Sequence, residues 1–218
     1  MNAAKDREGF LIFDIMKNIA IVLFDRVEVL DFAGPFEVFS VCGAHGEHKG
    51  TFNVYTVAER APVVARGGLT VEPDYLLENC PTPDIFLIPG GGGYTASGVP
   101  FGSRKEMHNP VLLEWIKKHN KSAELVLSVC TGSLILAKAG LLDGLSATTH
   151  WKAIDQLREA APRTTIVDDQ RWVDNGRVIA SAGVSAGIDM SLHVIEKLLG
   201  KAVADDTARY MQYDHWRS

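Results

Sequence analysis

An apolar run that ends in a cysteine and passes directly into a helical pattern constrains this chain more than any other feature. Residues 125–129 (Leu-Val-Leu-Ser-Val) are typical of a buried strand, and residues 134–137 begin a helical pattern. Cys130 lies between them, with Ser128 and Gly132 two positions to either side. A sharp strand-to-helix turn needs small residues at these two positions, because the flanking backbones come close together. The spacing predicts a nucleophile elbow that presents Cys130 in a cleft.

The helix behind this cysteine is expected to activate it. A helix N-terminus offers unpaired N–H groups and partial positive charge, which lower the pKa of a thiol and stabilise a developing anion. We therefore expect Cys130 to be a nucleophile with a pKa below the ordinary value of about 8.5. Cys42 and Cys80 lack such surroundings and are expected to be inert packing residues. Three cysteines without regular spacing indicate a reducing, cytoplasmic compartment.

The order of the remaining patterns predicts an α/β fold. Apolar strands alternate with helical segments, which implies a mostly parallel sheet with helices on both faces. Residues 1–16 are interpreted as an N-terminal extension and residues 17–218 as a single domain, a length that can bury one core. Hairpin turns are predicted at the glycines of residues 67–68 and at residues 175–176 (Asn-Gly). Residues 73–79 are expected to form one or two helical turns.

Composition and charge restrict the partners of the chain. A formal net charge of −5 without a basic stripe argues against nucleic acid. No apolar run approaches the ~20 residues that cross a bilayer, and the first residues lack the apolar segment of a signal peptide. The histidines show no spacing typical of metal ligands, so neither a metal nor another cofactor is expected.

Three loops that follow predicted strands are expected to meet at one site, because the carboxyl ends of parallel strands share one edge of a sheet. These loops begin at Asp25, Gly90 and Cys130. In the first loop, Asp31 precedes a helix predicted from Gly34 to about residue 41. This residue is either an acidic group favoured by the helix start or a working carboxylic acid that faces the crevice.

The second loop, residues 90–93, consists of four glycines and is either a flexible turn or a place of close backbone approach. No Gly-Lys-Ser/Thr follows, so it is not a P-loop. The N–H groups of Gly91 and Thr131 are predicted to form a two-donor oxyanion site. His150 is either the base of a Cys–His pair or a packed residue, and we expect it at the edge of the pocket. Asp189 and His193, one helical turn apart, are expected to be structural.

Six short motifs together resemble the ThiJ/PfpI superfamily, and more narrowly its isonitrile hydratase branch. That branch is shared with the amidotransferase-like sensor domains of AraC-type regulators. The motifs occur in order between about residues 18 and 200, so the resemblance covers nearly the whole chain. They are LDFAGP at residues 30–35, IPGG at 88–91, SVCTGS at 128–133, AGLLDG at 139–144, ATTHW at 147–151 and AGID at 186–189.

The resemblance implies a flavodoxin-like three-layer sandwich of the class I glutamine amidotransferase-like type, a homodimer and a small-molecule substrate. It matches Cys130 to the hydratase nucleophile, Asp31 to its acidic partner and Thr131 to the residue after the nucleophile. Protease-like members carry histidine at that last position, which counts against peptide cleavage here. Chaperone and deglycase members carry glutamate on the first loop, where this chain has aspartate. The other residues expected in the pocket are Gly90, Gly92, His150 and Trp151.

The reaction that the resemblance implies is hydration of an isonitrile, R–N≡C, to an N-substituted formamide. Asp31 would deliver a proton to the isonitrile carbon while the Cys130 thiolate attacks the same carbon to give a thioimidate. Water activated by the Asp31 carboxylate would then release the formamide, and the two acidic groups would share one proton. The alternatives are a small-molecule or redox sensor domain that acts with a separate partner, and a stress-response enzyme of the glyoxalase or deglycase type.

Overall fold

A computed structural model describes residues 4–5, 11–12, 16–43, 48 and 50–214. Near the N-terminus the backbone of Ala4–Lys5 pairs antiparallel with that of Leu11–Ile12. The rest of the predicted extension up to residue 15 lies outside the described residues.

A seven-stranded sheet forms the centre of the protein. Its strands are β1 (Lys17–Leu23), β2 (Phe52–Ala58), β3 (Tyr75–Leu76), β4 (Ile85–Ile88), β5 (Leu125–Val129), β6 (Trp172–Asp174) and β7 (Val178–Ser181). Their order across the sheet is β6-β7-β5-β4-β1-β2-β3, and every neighbouring pair is parallel except β6 with β7. The mostly parallel sheet is therefore confirmed.

Helices pack against this sheet in two groups. The helices are α1 (Val29–Ser40), α2 (Ser103–Glu106), α3 (Pro110–His119), α4 (Gly132–Lys138), α5 (Ile154–Ala160), α6 (Ala186–Leu199) and α7 (Lys201–Tyr210). Helix α6 contacts α1 and α7, whereas α4 contacts α2 and α5. Two helical layers enclosing a parallel sheet form the flavodoxin-like α/β fold.

Short ribbons and 3-10 turns connect these elements. Two antiparallel ribbons join Val63–Val64 to Thr70–Val71 and Gly92–Tyr94 to Pro100–Gly102. A parallel ribbon joins Ser146–Ala147 to Thr165–Ile166. The 3-10 turns are Arg66–Gly68 and Trp151–Ala153. The first ribbon and the β6–β7 pair confirm both predicted hairpins.

The core lies on both sides of the central strands. All side chains of β4 and β5 are buried, which explains why these strands read as continuous apolar runs rather than alternating ones. The buried strands place their carboxyl ends, and hence the loops at Gly90 and Cys130, side by side because β4 and β5 are parallel neighbours. No helix among the described residues is long and apolar enough to cross a membrane.

Two local predictions are wrong. Residues 75–76 form an edge strand paired with Val57 and Ala58 instead of a helical turn, since pairing with β2 satisfies their backbone groups. Helix α1 begins at Val29 rather than at Gly34, so that Pro35 lies inside the helix. Gly34 is a packing residue within the helix rather than its start, because a Cβ there would lie only 2.9 Å from Ile188 of α6. Asp31 is consequently in the first turn of a helix and not in a loop.

Candidate active site

The predicted elbow at Cys130 is present. Its φ of +56° is the left-handed conformation that a sharp strand-to-helix turn requires. The Cys130 N–H donates to the carbonyl oxygens of Ser181 and Ala182 at 3.2 and 3.1 Å, which ties the elbow to the end of β7. The Cys130 carbonyl accepts hydrogen bonds from the Thr149 hydroxyl at 2.8 Å and the Ser133 hydroxyl at 3.1 Å. Cys130 is therefore held by its backbone from both sides.

Glycines next to the elbow allow the two loops to approach each other. A Cβ at Gly132 would lie 2.0 Å from the carbonyl oxygen of Ile88, at the end of β4. A Cβ at Gly90 would lie 2.4 Å from the Thr131 nitrogen. Both contacts are too short for any side chain, so glycine is required at both positions.

Asp31 is fully buried beside the elbow. Its Oδ2 accepts a hydrogen bond from the Gly90 N–H at 2.9 Å, while Oδ1 has no hydrogen-bond partner among the described residues. Burial raises the pKa of this carboxyl to about 7, outweighing the Gly90 N–H and the Cys130 thiol, which lower it. Near neutral pH the carboxyl is thus poised between its two protonation states, with one oxygen available for the proton.

The expected lowering of the Cys130 pKa is wrong. Burial and the charge of Asp31 raise the pKa of the thiol to about 12. The N–H groups of Thr131 and Val184 act in the predicted direction and lower it, but burial outweighs them. Around neutral pH the sulfur is a thiol facing a carboxyl group. Since each ionised group raises the pKa of the other, Cys130 and Asp31 titrate as one coupled pair.

A ring of three hydrogen bonds joins the glycine loop, the elbow and α2. The Gly91 N–H donates to Thr131 Oγ1 at 3.1 Å, and the Ser103 hydroxyl donates to the Gly91 carbonyl at 2.7 Å. The Thr131 hydroxyl therefore donates to Ser103 Oγ, 2.7 Å away. The Gly91 amide, predicted as an oxyanion donor, is already engaged within the protein, so we revise that assignment.

Val184 supplies the amide that sequence reasoning missed. Its N–H, like that of Thr131, acts on the Cys130 sulfur. Its φ of +51° is an uncommon, strained conformation for a β-branched residue. No local sequence pattern marks this position, because the contact comes from the loop after β7. The N–H groups of Thr131 and Val184 are thus two backbone donors next to the Cys130 sulfur.

A cavity of about 250 Å³ opens above the thiol. It is lined by the loop residues Gly91, Gly92 and Val184, by Cys130 and Thr131, and by the side chains of Glu28, Arg66, Arg104, His150 and Lys152. Of the pocket residues expected from the sequence, Gly92 and His150 line this cavity, whereas Gly90, which is buried, and Trp151, which is 72% exposed, do not. Another cavity, of about 410 Å³, lies between the ends of β1 and β2 and residues 105–112. Its lining holds no cysteine, so it is not the site of the nucleophile.

His150 lies at the pocket edge, as expected. Its Nδ1 accepts a hydrogen bond from the Lys152 N–H at 3.2 Å, and its ring packs so closely on Gly183 that a Cβ there would lie 2.4 Å from Cδ2. Burial and the charges of Lys152, Arg104 and Arg66 lower the pKa of this histidine. His150 is therefore neutral at neutral pH, with its acceptor nitrogen already used.

Asp189 and His193 have partners outside the cavity. Asp189 is buried and accepts hydrogen bonds from Arg171 and from the Tyr213 hydroxyl, the latter at 2.8 Å. His193 instead contacts Asp174, with Nε2 and Oδ2 2.8 Å apart. Within the described part of the chain, no group of three or more His, Cys, Asp or Glu side chains is arranged to hold a metal ion.

The fold and the site together define a flavodoxin-like α/β domain that carries a cysteine on a strand-to-helix elbow, facing a buried carboxyl. Residues 17–197 match the DJ-1/PfpI family. The chain belongs to this family.

Relatives of the chain include both an enzyme and gene regulators. It is 33% identical over 194 residues to the isonitrile hydratase of Pseudomonas putida, a match that covers 89% of this chain and 75% of the relative. It is 30% identical over 203 residues to the HTH-type transcriptional regulator GbdR of Pseudomonas aeruginosa, covering 93% of this chain but 52% of that protein. The chain thus spans about half of the regulator.

A solved structure has the same fold. The crystal structure of a ThiJ/PfpI family protein from Pseudomonas syringae superimposes with a TM-score of 0.78 at 29% identity, over 91% of this chain and 75% of the other.

Proposed function

We propose that the protein is a cysteine-dependent hydratase that converts small isonitriles to N-substituted formamides. The observation that carries this proposal is the coupled pair of Cys130 and Asp31, a thiol facing a buried carboxyl with a free oxygen. An isonitrile carbon accepts both a nucleophile and a proton, and this pair supplies both at one place. The similarity to an isonitrile hydratase over most of the chain supports the same reaction.

The first chemical step adds the thiol across the terminal carbon of R–N≡C. In the one-proton state of the pair, the Asp31 carboxylate takes the proton from Cys130 as sulfur forms its bond to carbon. The same carboxyl delivers that proton to the carbon, which leaves the thioimidate R–N=CH–S–Cys130. The proton can lie on the sulfur or on Asp31 before the attack. These two forms are tautomers of the same state, because the pair holds one proton in both.

The second step consumes water. The Asp31 carboxylate takes a proton from a water molecule as that water attacks the thioimidate carbon, and the resulting carboxyl gives this proton to the imine nitrogen. Collapse of the tetrahedral adduct breaks the C–S bond, gives R–NH–CHO and transfers the hydroxyl proton of the adduct to the Cys130 sulfur. The N–H groups of Thr131 and Val184, which face the sulfur, stabilise negative charge as it develops on the leaving thiolate.

The pKa values of the pair determine the pH dependence. The one-proton form is populated between the pKa of Asp31, about 7, and that of Cys130, about 12. Below pH 7 both groups are protonated and the carboxyl can no longer accept the thiol proton. The rate is therefore expected to rise with pH through about 7 and then to level off.

Formation of N-cyclohexylformamide from cyclohexyl isocyanide tests the proposal. We expect Cys130→Ala to lower kcat/KM by at least about 10³-fold and Asp31→Asn by at least about 10²-fold. Cys80→Ala, which removes a half-buried thiol outside the cavity, is the matched control and should retain wild-type activity. Absence of formamide with wild-type protein across aliphatic, benzylic and aromatic isonitriles would refute the assignment.

A small-molecule sensor domain is the second candidate, because a regulator is 30% identical over most of this chain. A sensor would bind isonitriles, or other small electrophiles, without turnover, and calorimetry with the Cys130→Ala variant separates binding from catalysis. A redox sensor is disfavoured, since oxidation of cysteine proceeds through the thiolate and the pKa of Cys130 is raised to about 12. Methylglyoxal turnover tests the glyoxalase alternative, and light scattering tests the expected homodimer.

A further inference from the structure

The side chains that line the Cys130 cavity include more positively charged than negatively charged groups. Among them, Arg66 is paired with Glu28, with Nη1 and Oε2 2.7 Å apart. Arg104 and Lys152 form no ion pair with a carboxylate anywhere in the described chain. Two positive charges thus face the cavity without a partner, in a chain whose net charge is −5.

Arg104 is the more informative of the two cations. It is half-buried, yet its guanidinium is held only by neutral acceptors, Oε1 of Gln156 at 3.1 Å and Oγ of Ser103 at 3.4 Å. Burying a guanidinium costs free energy that a carboxylate partner normally offsets. Here the partner is missing, and the side chain is close enough to Cys130 for the two groups to interact electrostatically.

Lys152 is the second cation that lines the cavity without a carboxylate partner. Its ammonium lies 5.0 Å from the centre of the Trp151 ring, and the residue is exposed. His150 adds no charge, because its pKa is lowered and it is neutral at neutral pH. The acidic groups near the same space are Glu28, which lines the cavity and is paired with Arg66, and Asp31, which is buried next to Cys130 and does not line the cavity. An incoming anion would therefore meet positive charge at the rim and the reactive pair below it.

We propose that the substrate of Cys130 is an anion, a small carboxylic acid whose carboxylate is bound by Arg104 and Lys152 while its electrophilic carbon reaches the sulfur. The planar guanidinium fork of Arg104 matches a carboxylate, and Lys152 adds a mobile point charge. A cavity of about 250 Å³ restricts the ligand to a small molecule. If the substrate is an isonitrile, this inference rests on the proposed function. The favoured substrate is then an isocyano-carboxylate, which carries both the isonitrile and the carboxylate group.

The charge preference can be measured without any hydratase activity. Iodoacetate and iodoacetamide alkylate thiols by the same displacement and differ in charge, so the ratio of their rates at Cys130 reports the local potential. The thiolate fraction cancels from this ratio. Labelling at pH 8.5 is followed by peptide mass spectrometry, which separates Cys130 from Cys42 and Cys80.

At pH 8.5 the Asp31 carboxylate is ionised next to the sulfur and repels an anion, so the ratio is measured in the Asp31→Asn background. There we expect the iodoacetate-to-iodoacetamide ratio at Cys130 to exceed that of reduced glutathione by about tenfold or more at low salt. Arg104→Gln and Lys152→Gln should each lower the ratio several-fold, and Arg104→Lys should retain most of it. Lys121→Gln, an exposed charge removal outside the cavity, is the matched control and should leave the ratio unchanged. Circular dichroism establishes that each variant is folded.

A ratio at or below that of glutathione, or one that neither Arg104→Gln nor Lys152→Gln changes, overturns the proposal. Comparison of isocyanoacetate with its methyl ester then tests the substrate itself. We expect the acid to have the higher kcat/KM and Arg104→Gln to reverse that order. If neither compound is hydrated while the alkylation ratio remains high, the hydratase assignment fails and the anion site stands.

Discussion

Replacement of Asp31 by asparagine should change how the stability of this protein depends on pH. The side chain is fully buried, and its pKa rises from the ordinary 3.8 to about 7 on folding. Because the folded protein holds this proton more tightly than the unfolded chain, the contribution of Asp31 to the free energy of unfolding is most favourable below pH 4. It declines as the pH rises from about 4 to about 7 and is constant above that range.

The magnitude follows from the two pKa values. One pH unit of difference corresponds to about 1.4 kcal/mol, so ionised Asp31 costs the folded state about 4 kcal/mol. Between pH 5 and pH 8 about 3 kcal/mol of this cost develops. Asparagine preserves the acceptor for the Gly90 N–H and cannot ionise. The stability of Asp31→Asn relative to wild type should therefore increase by about 3 kcal/mol over this interval, whatever its steric cost.

Urea unfolding at pH 5, 6, 7 and 8 measures this difference, provided that the m-value stays the same in both proteins. Asp155→Asn is the control, because it removes a carboxylate whose side chain is 93% exposed. A difference between Asp31→Asn and wild type that does not change with pH would show that the Asp31 carboxyl ionises normally in the folded protein. That result would refute the coupled pair and the mechanism built on it.

Three further predictions follow from the same geometry. Asp31→Asn should lower the Cys130 pKa from about 12, since the carboxylate charge is one cause of the rise; the pH dependence of iodoacetamide labelling measures it, and an unchanged profile would contradict the interaction. The rate of formamide production should rise with pH through about 7 in wild type, and a rate that falls there would exclude the Asp31 carboxylate as proton acceptor. Gly132→Ala should destabilise the fold by more than about 3 kcal/mol, because its Cβ would lie 2.0 Å from the Ile88 oxygen; thermal unfolding compares it with the exposed control Lys138→Ala, and equal melting temperatures would show that the elbow relaxes.

The parts of the fold encoded by neighbouring residues could be predicted from the sequence. The strand, the cysteine and the following helix lie within residues 125–138, and the Asn-Gly turn of residues 175–176 sits between two paired strands. In both places the local pattern determines the backbone, because turn chemistry and hydrophobic period act over a few residues. The start of helix α1 was not predicted, because a proline such as Pro35 is typical of the first turn of a helix and here lies inside it.

Only those residues of the candidate site that lie within a recognisable local motif could be predicted from the sequence. Cys130 was identified from its spacing and Asp31 from its loop and the family resemblance, whereas Arg104 and Val184 reach the cavity from distant segments without a motif of their own. The sign of the Cys130 pKa shift could not be obtained from the sequence, because burial competes with the helix amides and burial is a tertiary property. Gly91 was misassigned for a similar reason, since its partner Thr131 is itself held by Ser103.

The hydrogen-bond ring of Gly91, Thr131 and Ser103 limits which donors a ligand can use when it binds in the cavity. The two hydroxyl protons and the one amide proton in the ring are all used within it. A ligand cannot recruit any of them without breaking a bond that joins the glycine loop, the elbow and α2. The backbone of the glycine loop and the elbow is thus already ordered before a ligand binds, and binding carries no entropy cost for ordering it. Selection among ligands then falls to the charged side chains that line the cavity above it.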